Sequence, residues 1–280
     1  MTVSVAEVMP RPVGRMQRVD GRAEVGLVRG SGRTRLAHLH QAGSAKAMLP
    51  RCHGTSPEVV LLNTAGGVTG GDRLRYAIDV GPGAIATATT QTAERAYGTK
   101  NGVAKVNIDL MVGKGGHLDW LPQETILFDT ANLYRRTRID LSTDATLLYS
   151  EALILGRAAM GEAVRSLSLI DRRDITRNGK PLLIDPVRLD GAMISAPGQC
   201  ALLSGCRALA TVVLIAPDAE DAVGQIRALP GIDGVTIGSS AWEGKCVIRL
   251  MAVDAWPMRR ALVRLLTQLR GGPLPRVWQI

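Results

Sequence analysis

Between Gly21 and about residue 205 the chain is written in short segments that alternate apolar with polar, which commits this stretch to β-structure. Ala23, Val25 and Leu27 alternate with charged or small residues, as in a strand with one buried face. Thr34, Leu36, His38 and His40 share one parity, so both imidazoles project from the same side. With no third ligand in view, an exposed strand face fits that pair better than a metal site. Further strands are expected at Val59–Leu62, Leu74–Val80, Ala84–Thr90, Ala104–Leu110, His117–Leu121, Leu133–Leu141 and Ala145–Leu155. Arg165–Ile170, Ile175 and Pro181–Leu189 continue the theme. Turns at Gly81-Pro82-Gly83 and Gly113–Gly116 punctuate the series as in a meander or stacked sheets. A fixed repeat is not visible in the residues, so the pattern alone does not specify a solenoid.

One segment breaks the alternation. In Asn63-Thr64-Ala65-Gly66-Gly67-Val68-Thr69-Gly70-Gly71-Asp72-Arg73-Leu74, four glycines fall within six positions. Such a cluster implies left-handed dihedrals, close backbone approach, or both. A phosphate-binding P-loop needs Lys and Ser or Thr after its last glycine, but Asp72 and Arg73 follow, and Asp72 repels phosphate. The dinucleotide fingerprint fails on spacing, and Arg73 to Val80 alternate rather than open a helix.

After about residue 205 the pattern changes. Ala208–Ala216 reads as a buried strand. Pro217-Asp218 start a helix with Ala222, Val223, Ile226 and Leu229 on one face, ended by Pro230-Gly231. Val235–Ala241 and Lys245–Val253 read as a hairpin around Glu243-Gly244. Asp254 caps a second helix that tolerates Pro257 in its first turn and carries Met258, Leu262, Leu265, Leu266 and Leu269 on one face. Gly271-Gly272-Pro273 stops it. The expected organisation is a loose N-terminal arm (1–20), a β-rich body (21–205) and a β-α-β-β-α portion (206–280) packed on that body.

With one phenylalanine, Phe128, the core rests on Leu, Val, Ile and Ala. The formal charge of +9 points to an acidic partner. Nucleic acid is the weaker candidate, because aromatics are few and no basic run exceeds Arg135-Arg136 or Arg172-Arg173. Cys52, Cys200, Cys206 and Cys246 lack short paired spacings and read as reduced thiols. No signal-like or membrane-spanning apolar run occurs, so a soluble, cytoplasmic protein is expected.

The chain has no G-x-S-x-G elbow, no Ser-His-Asp order with supporting motifs and no H-E-x-x-H. Its carboxylates do not pair at spacings that fix acid and base roles. Two stand out. Asp72 ends the glycine loop, and Glu151 interrupts the apolar run from Ala145 to Leu155, where it needs a partner such as Arg157 or a water-filled path. Ala86 to Thr92 holds four threonines that give a hydroxyl-lined wall.

Taken in order, several segments resemble the urease accessory proteins of the UreD (UreH) type. They are Gly43-Ser44-Ala45-Lys46-Ala47 with Leu49-Pro50-Arg51, then Asn63 to Leu74, and Thr89-Thr90-Gln91-Thr92-Ala93-Glu94-Arg95-Ala96-Tyr97. Leu118-Asp119-Trp120-Leu121-Pro122-Gln123-Glu124-Thr125-Ile126 and the run Glu151 to Glu162 follow, and Pro275-Arg276-Val277-Trp278 closes the series. The chain departs from the family at Gly98, where a basic residue is more usual.

The resemblance implies a mainly β fold of stacked, β-helix-like sheets with few helices. It implies a non-enzymatic maturation factor that binds the urease apoprotein with UreF and, through UreF, the GTPase UreG. Nickel would be cargo moving through an internal passage, with no cofactor permanently bound and no membrane or nucleic-acid partner. Asp72, Thr89, Thr90, Glu124 and Glu151 are the candidate oxygen ligands along that path, since a transfer site needs ligands loose enough to release the ion. A β-rich enzyme using Asp72 and Arg73 on an acidic small molecule stays open as the alternative.

Overall fold

The computed structural model describes residues 18–51, 56–194 and 202–279. Most of the expected N-terminal arm, together with Cys52 and Cys200, lies outside the described residues. Two sheets stack face to face. The first has seven strands: β1 (Asp20–Gly30), β2 (Arg33–Gly43), β5 (Arg73–Val80), β8 (Ala104–Val112), β11 (Asn132–Leu141), β13 (Ser168–Arg177) and β14 (Lys180–Asp190), in the order β14-β13-β11-β8-β5-β1-β2. The second has ten strands. Its main path joins β3 (Ala45–Met48), β4 (Glu58–Asn63), β6 (Ile85–Thr90), β9 (His117–Trp120), β12 (Thr146–Leu155), β15 (Ala208–Ile215), β17 (Lys245–Ala252) and β16 (Val235–Trp242). Two short strands, β7 (Glu94–Ala96) and β10 (Thr125–Leu127), pair beside β12.

From β4 to β13 the chain passes back and forth between the sheets, and each returning strand lies parallel to its predecessor. The result is solenoid-like, with coils of about 30 residues. Strand β8 shows why the residues choose this: Ala104, Val106, Ile108, Leu110 and Val112 enter the core, while Lys105 and Met111 face water. Strand β12 is buried on both faces, which accounts for its nearly unbroken apolar run. Leu147 and Leu153 enter the core between the sheets, and Leu148, Ala152 and Ile154 lie beneath helices.

Those helices are α2 (Ala222–Arg227) and α3 (Ala255–Arg270), following a single turn α1 (Gly191–Ile194). The first expected helix is shorter than its periodicity suggests, because Pro217 to Asp221 form turns. The Asp254 carboxylate caps α3 by accepting from the Ala255 amide at 2.8 Å, and Gly271 closes it at φ +65°. Positive φ at Glu243 and Gly244 makes the tight hairpin turn between β16 and β17. Because β15 pairs with β12 from Leu147 to Ile154, the C-terminal portion extends the same ten-stranded sheet as the body.

Candidate functional site

The glycine loop lies over one end of the space between the sheets. Val68 bridges to Ala96, and the Tyr97 hydroxyl donates to the Gly66 carbonyl at 3.1 Å. Close approach explains two of the glycines. A β-carbon on Gly70 would sit 2.1 Å from the Asn101 carbonyl oxygen, and one on Gly67 would sit 2.3 Å from the Tyr97 ring. The neighbouring Gly98 is equally confined, since a β-carbon there would meet the Thr130 hydroxyl at 2.4 Å.

Beneath the loop is a cavity of about 90 Å³. Its mouth is lined by Asn63, Gly66, Thr90 and Glu94, and its floor by Trp120, Arg135 and Glu151. That volume is large enough for several waters. Asn63 donates to both Glu94 oxygens at 3.4 Å and to the Gly67 carbonyl at 3.0 Å, which fixes the mouth carboxylate against the loop. Burial pushes the Glu94 carboxyl up to about 6 against hydrogen bonds from Arg95 and Asn63 that hold it down.

The floor opens onto a seam of charges between the sheets. Glu151, 2 % exposed, lies 2.6 Å from Arg135 Nη2. That contact is ionic rather than an aligned hydrogen bond, because Arg135 gives its fork to Asp171, with Nε donating to Oδ1 at 2.9 Å and Nη2 to Oδ2 at 2.7 Å. Arg173 bridges Asp171 to Asp185, donating to Asp185 Oδ2 at 2.7 Å. Arg249 reaches Asp185 from the opposite sheet, and its side chain is 47 % exposed. Carboxylate and guanidinium thus alternate from the cavity floor to the surface. Strand register assembles the seam. Arg135 lies opposite Asp171, and Arg173 opposite Asp185, while Glu151, Thr211 and Arg249 share a row of the facing sheet.

The seam treats its acids unequally. Burial raises the Glu151 carboxyl, with Arg135 opposing. Burial also works against ionised Asp171, but Arg135 and Arg173 hold it below the ordinary carboxylate range. Burial and Glu151 raise the Tyr149 phenol. The Trp120 indole N–H and the Thr137 hydroxyl beside this seam have no hydrogen-bond partner among the described residues, whereas the Tyr149 hydroxyl approaches the Glu151 carboxylate. Buried polar groups of this kind ordinarily take water as their partner.

The candidates read from sequence divide. Glu151 and Thr90 line the cavity together. Asp72 is buried, and its carboxylate accepts from the amides of Val19 at 2.8 Å and Thr69 at 2.7 Å, so it braces the loop. Arg73 lies exposed on the outer face of its sheet, so Asp72 and Arg73 do not converge on one pocket. Thr89 is on the far face of β6 and donates to the Leu121 carbonyl at 2.6 Å. Glu124 pairs with Arg259 at 3.6 Å outside the cavity lining. The partner of Glu151 is Arg135, with Arg173 at 3.7 Å, and not the expected Arg157. Arg157 lies over the Phe128 ring at 4.3 Å and pairs with Glu162 at 2.8 Å. His38 and His40 lie on an exposed strand, and among the described residues no three of His, Cys, Asp or Glu converge as a metal site. Sequence reasoning passed over Arg135, Asp171, Arg173 and Asp185. The available signal was parity, because each occupies a core-facing position in its strand.

Comparison with known proteins gives a consistent result. The family described as UreD urease accessory protein matches residues 19–279. A protein of Cereibacter sphaeroides (strain ATCC 17025 / ATH 2.4.3) named urease accessory protein UreD is 53% identical over 264 residues, covering 94% of this chain and 96% of that protein. A protein of the same name from Paracoccus denitrificans (strain Pd 1222) is 50% identical over 95% of this chain and 94% of its own length. Another, from Rhizobium johnstonii, is 41% identical over the full length of both.

Proposed function

This chain belongs to the UreD family of urease accessory proteins, with a role in urease maturation, and from that premise we propose a non-enzymatic scaffold that also conducts nickel. In this reading it holds the urease apoprotein together with UreF and, through UreF, the GTPase UreG, in the cytoplasm. Nickel is its cargo and crosses the cavity beneath the glycine loop on the way to the urease active site.

The observation that carries the passage is the cavity itself, which sets Glu94 and Thr90 at its mouth and Glu151, backed by the seam, at its floor, between apolar walls that include Leu61, Val106 and Ile108. Glu94 and Glu151 present carboxylate oxygens singly rather than as a closed cage. A borderline divalent ion exchanges water for such ligands and leaves again, whereas a complete ligand set would retain it. Within the seam the guanidiniums already neutralise the carboxylates, so the ion advances by displacing Arg135 from Glu151 while Arg135 keeps its two hydrogen bonds to Asp171. Asp72, Thr89 and Glu124 brace the walls.

The scaffold part is tested by co-elution. Full-length protein mixed with purified UreF and urease apoprotein is expected to leave a sizing column as one complex. Separate elution of all three contradicts the reading.

A further inference from the structure

We infer that the outer face of the seven-stranded sheet, at the strand-start end, is a docking surface for an acidic protein segment. Strands β1, β5, β8, β11 and β13 are mutually parallel. Parallel sheets ordinarily have both faces covered. The ten-stranded sheet meets this with α2 and α3, but among the described residues no element lies over the outer face of these five strands.

Register sorts that face into rows. One row runs Arg22, Arg75, Asn107, Arg136, Arg172. The row beside it, nearer the strand starts, runs Asp20, Arg73, Lys105, Tyr134, Ile170, Arg188. Seven cations against a single carboxylate occupy these two rows. Like charges directly opposite on neighbouring strands are destabilising, and Arg136 faces Arg172 in this way. The next row relieves the strain only in part. Glu24 pairs with Arg22 alone, but Asp109 receives both Arg75 and Arg138, and Asp174 receives both Arg136 and Arg172, so two of the row's three carboxylates are shared between two guanidiniums. At the centre Tyr134 is half-buried and Ile170 is 43 % exposed. An aromatic and an aliphatic residue ringed by arginines is the composition of an interface centre rather than of an idle charged surface.

Charge selects the occupant. Residues 1–17 carry two arginines and one glutamate, and residues 52–55 and 195–201 carry no Asp or Glu, so none of these segments complements the face in charge. A second copy is also poorly matched, because most carboxylates of the face are already engaged by its own arginines. The partner is therefore an acidic surface on another protein. Its assignment to the urease-maturation assembly rests on the scaffold reading above.

The test titrates purified UreF and purified urease apoprotein separately against full-length protein at two salt concentrations. The variants are Arg75→Gln/Arg136→Gln/Arg172→Gln and, for the apolar centre, Tyr134→Ala/Ile170→Ala. Arg35→Gln/Arg227→Gln/Arg260→Gln removes the same charge from exposed sites elsewhere. The triple arginine variant is expected to lose about 30-fold in affinity for one partner and to flatten its salt dependence. The apolar variant should lose about tenfold with the salt dependence unchanged, and the control should stay within about threefold. Unchanged binding of both partners by the first two variants overturns the docking face and leaves the scaffold reading intact. Tighter binding of a labelled DNA duplex that the triple variant abolishes overturns it in favour of nucleic acid. A dimer of the free protein that the triple variant dissociates overturns it in favour of a second copy. Wild-type protein that binds neither partner refutes the scaffold reading and takes this assignment with it.

Discussion

At the scale of single residues, burial decides what each charge contributes. Asp171 is fully buried and accepts from Arg135 and Arg173 together. Asp171→Asn takes from two buried guanidiniums the carboxylate they share, leaving Arg135 to Glu151 and Arg173 to Asp185, and is expected to cost about 3–5 kcal/mol in denaturant unfolding. Arg249 makes a similar pair at the half-exposed end of the seam, and Arg249→Gln should cost about 1 kcal/mol or less. Equal costs would mean that the seam is hydrated throughout. Glu94 gives the pH dependence. Its carboxyl lies near 6 in the fold, above its ordinary 4.5, so the folded protein holds that proton more tightly than the unfolded chain. Its contribution is therefore present in full below pH 4.5, declines between 4.5 and 6, and stays lost above. Glu94→Gln removes the decline and should stabilise the protein at pH 7 by about 1–2 kcal/mol, with the difference gone at pH 4. Parity carried a signal for this in the sequence, although the reading of the residues passed over it. The adjacent pairs Arg135-Arg136 and Arg172-Arg173 each place one guanidinium inside and one outside, as a period of two requires. The partner of Glu151 was not visible, because packing of one sheet on the other brings Arg135 to it and no local spacing encodes that approach.

At the scale of elements, the glycine loop divides into glycines needed for dihedral freedom and glycines needed for space. Gly66 adopts φ +75° with nothing within 4 Å of a β-carbon, whereas at Gly70 a β-carbon meets backbone at 2.1 Å. Gly66→Ala should cost about 1 kcal/mol and Gly70→Ala about 2 kcal/mol or more, measured by thermal unfolding. The reverse order would show that the loop tolerates a backbone shift at Gly70. The long alternating strands were legible because each buries one face, and the α3 cap and stop were legible from Asp254 and Gly271. Strands β7 and β10 were missed because three residues are too few for alternation to declare itself, and the four-residue β3 was missed as well. The coil repeat was hidden for another reason: it exists in the pairing of strands, and the residues at paired positions are chemically different.

At the scale of the whole molecule, two stacked sheets leave a cavity under the glycine loop with carboxylates at its mouth and floor, and a charged seam behind it, inside an otherwise aliphatic core. The central claim is that nickel uses this route, and Glu151→Gln tests it most directly, since it removes one charge while keeping shape and leaving Asp171 with Arg135. Urease matured with this variant should contain about tenfold less nickel per active site than urease matured with wild-type protein, although the complex with UreF and the apoprotein forms in full. Wild-type nickel content in urease from an intact variant complex would contradict the claim.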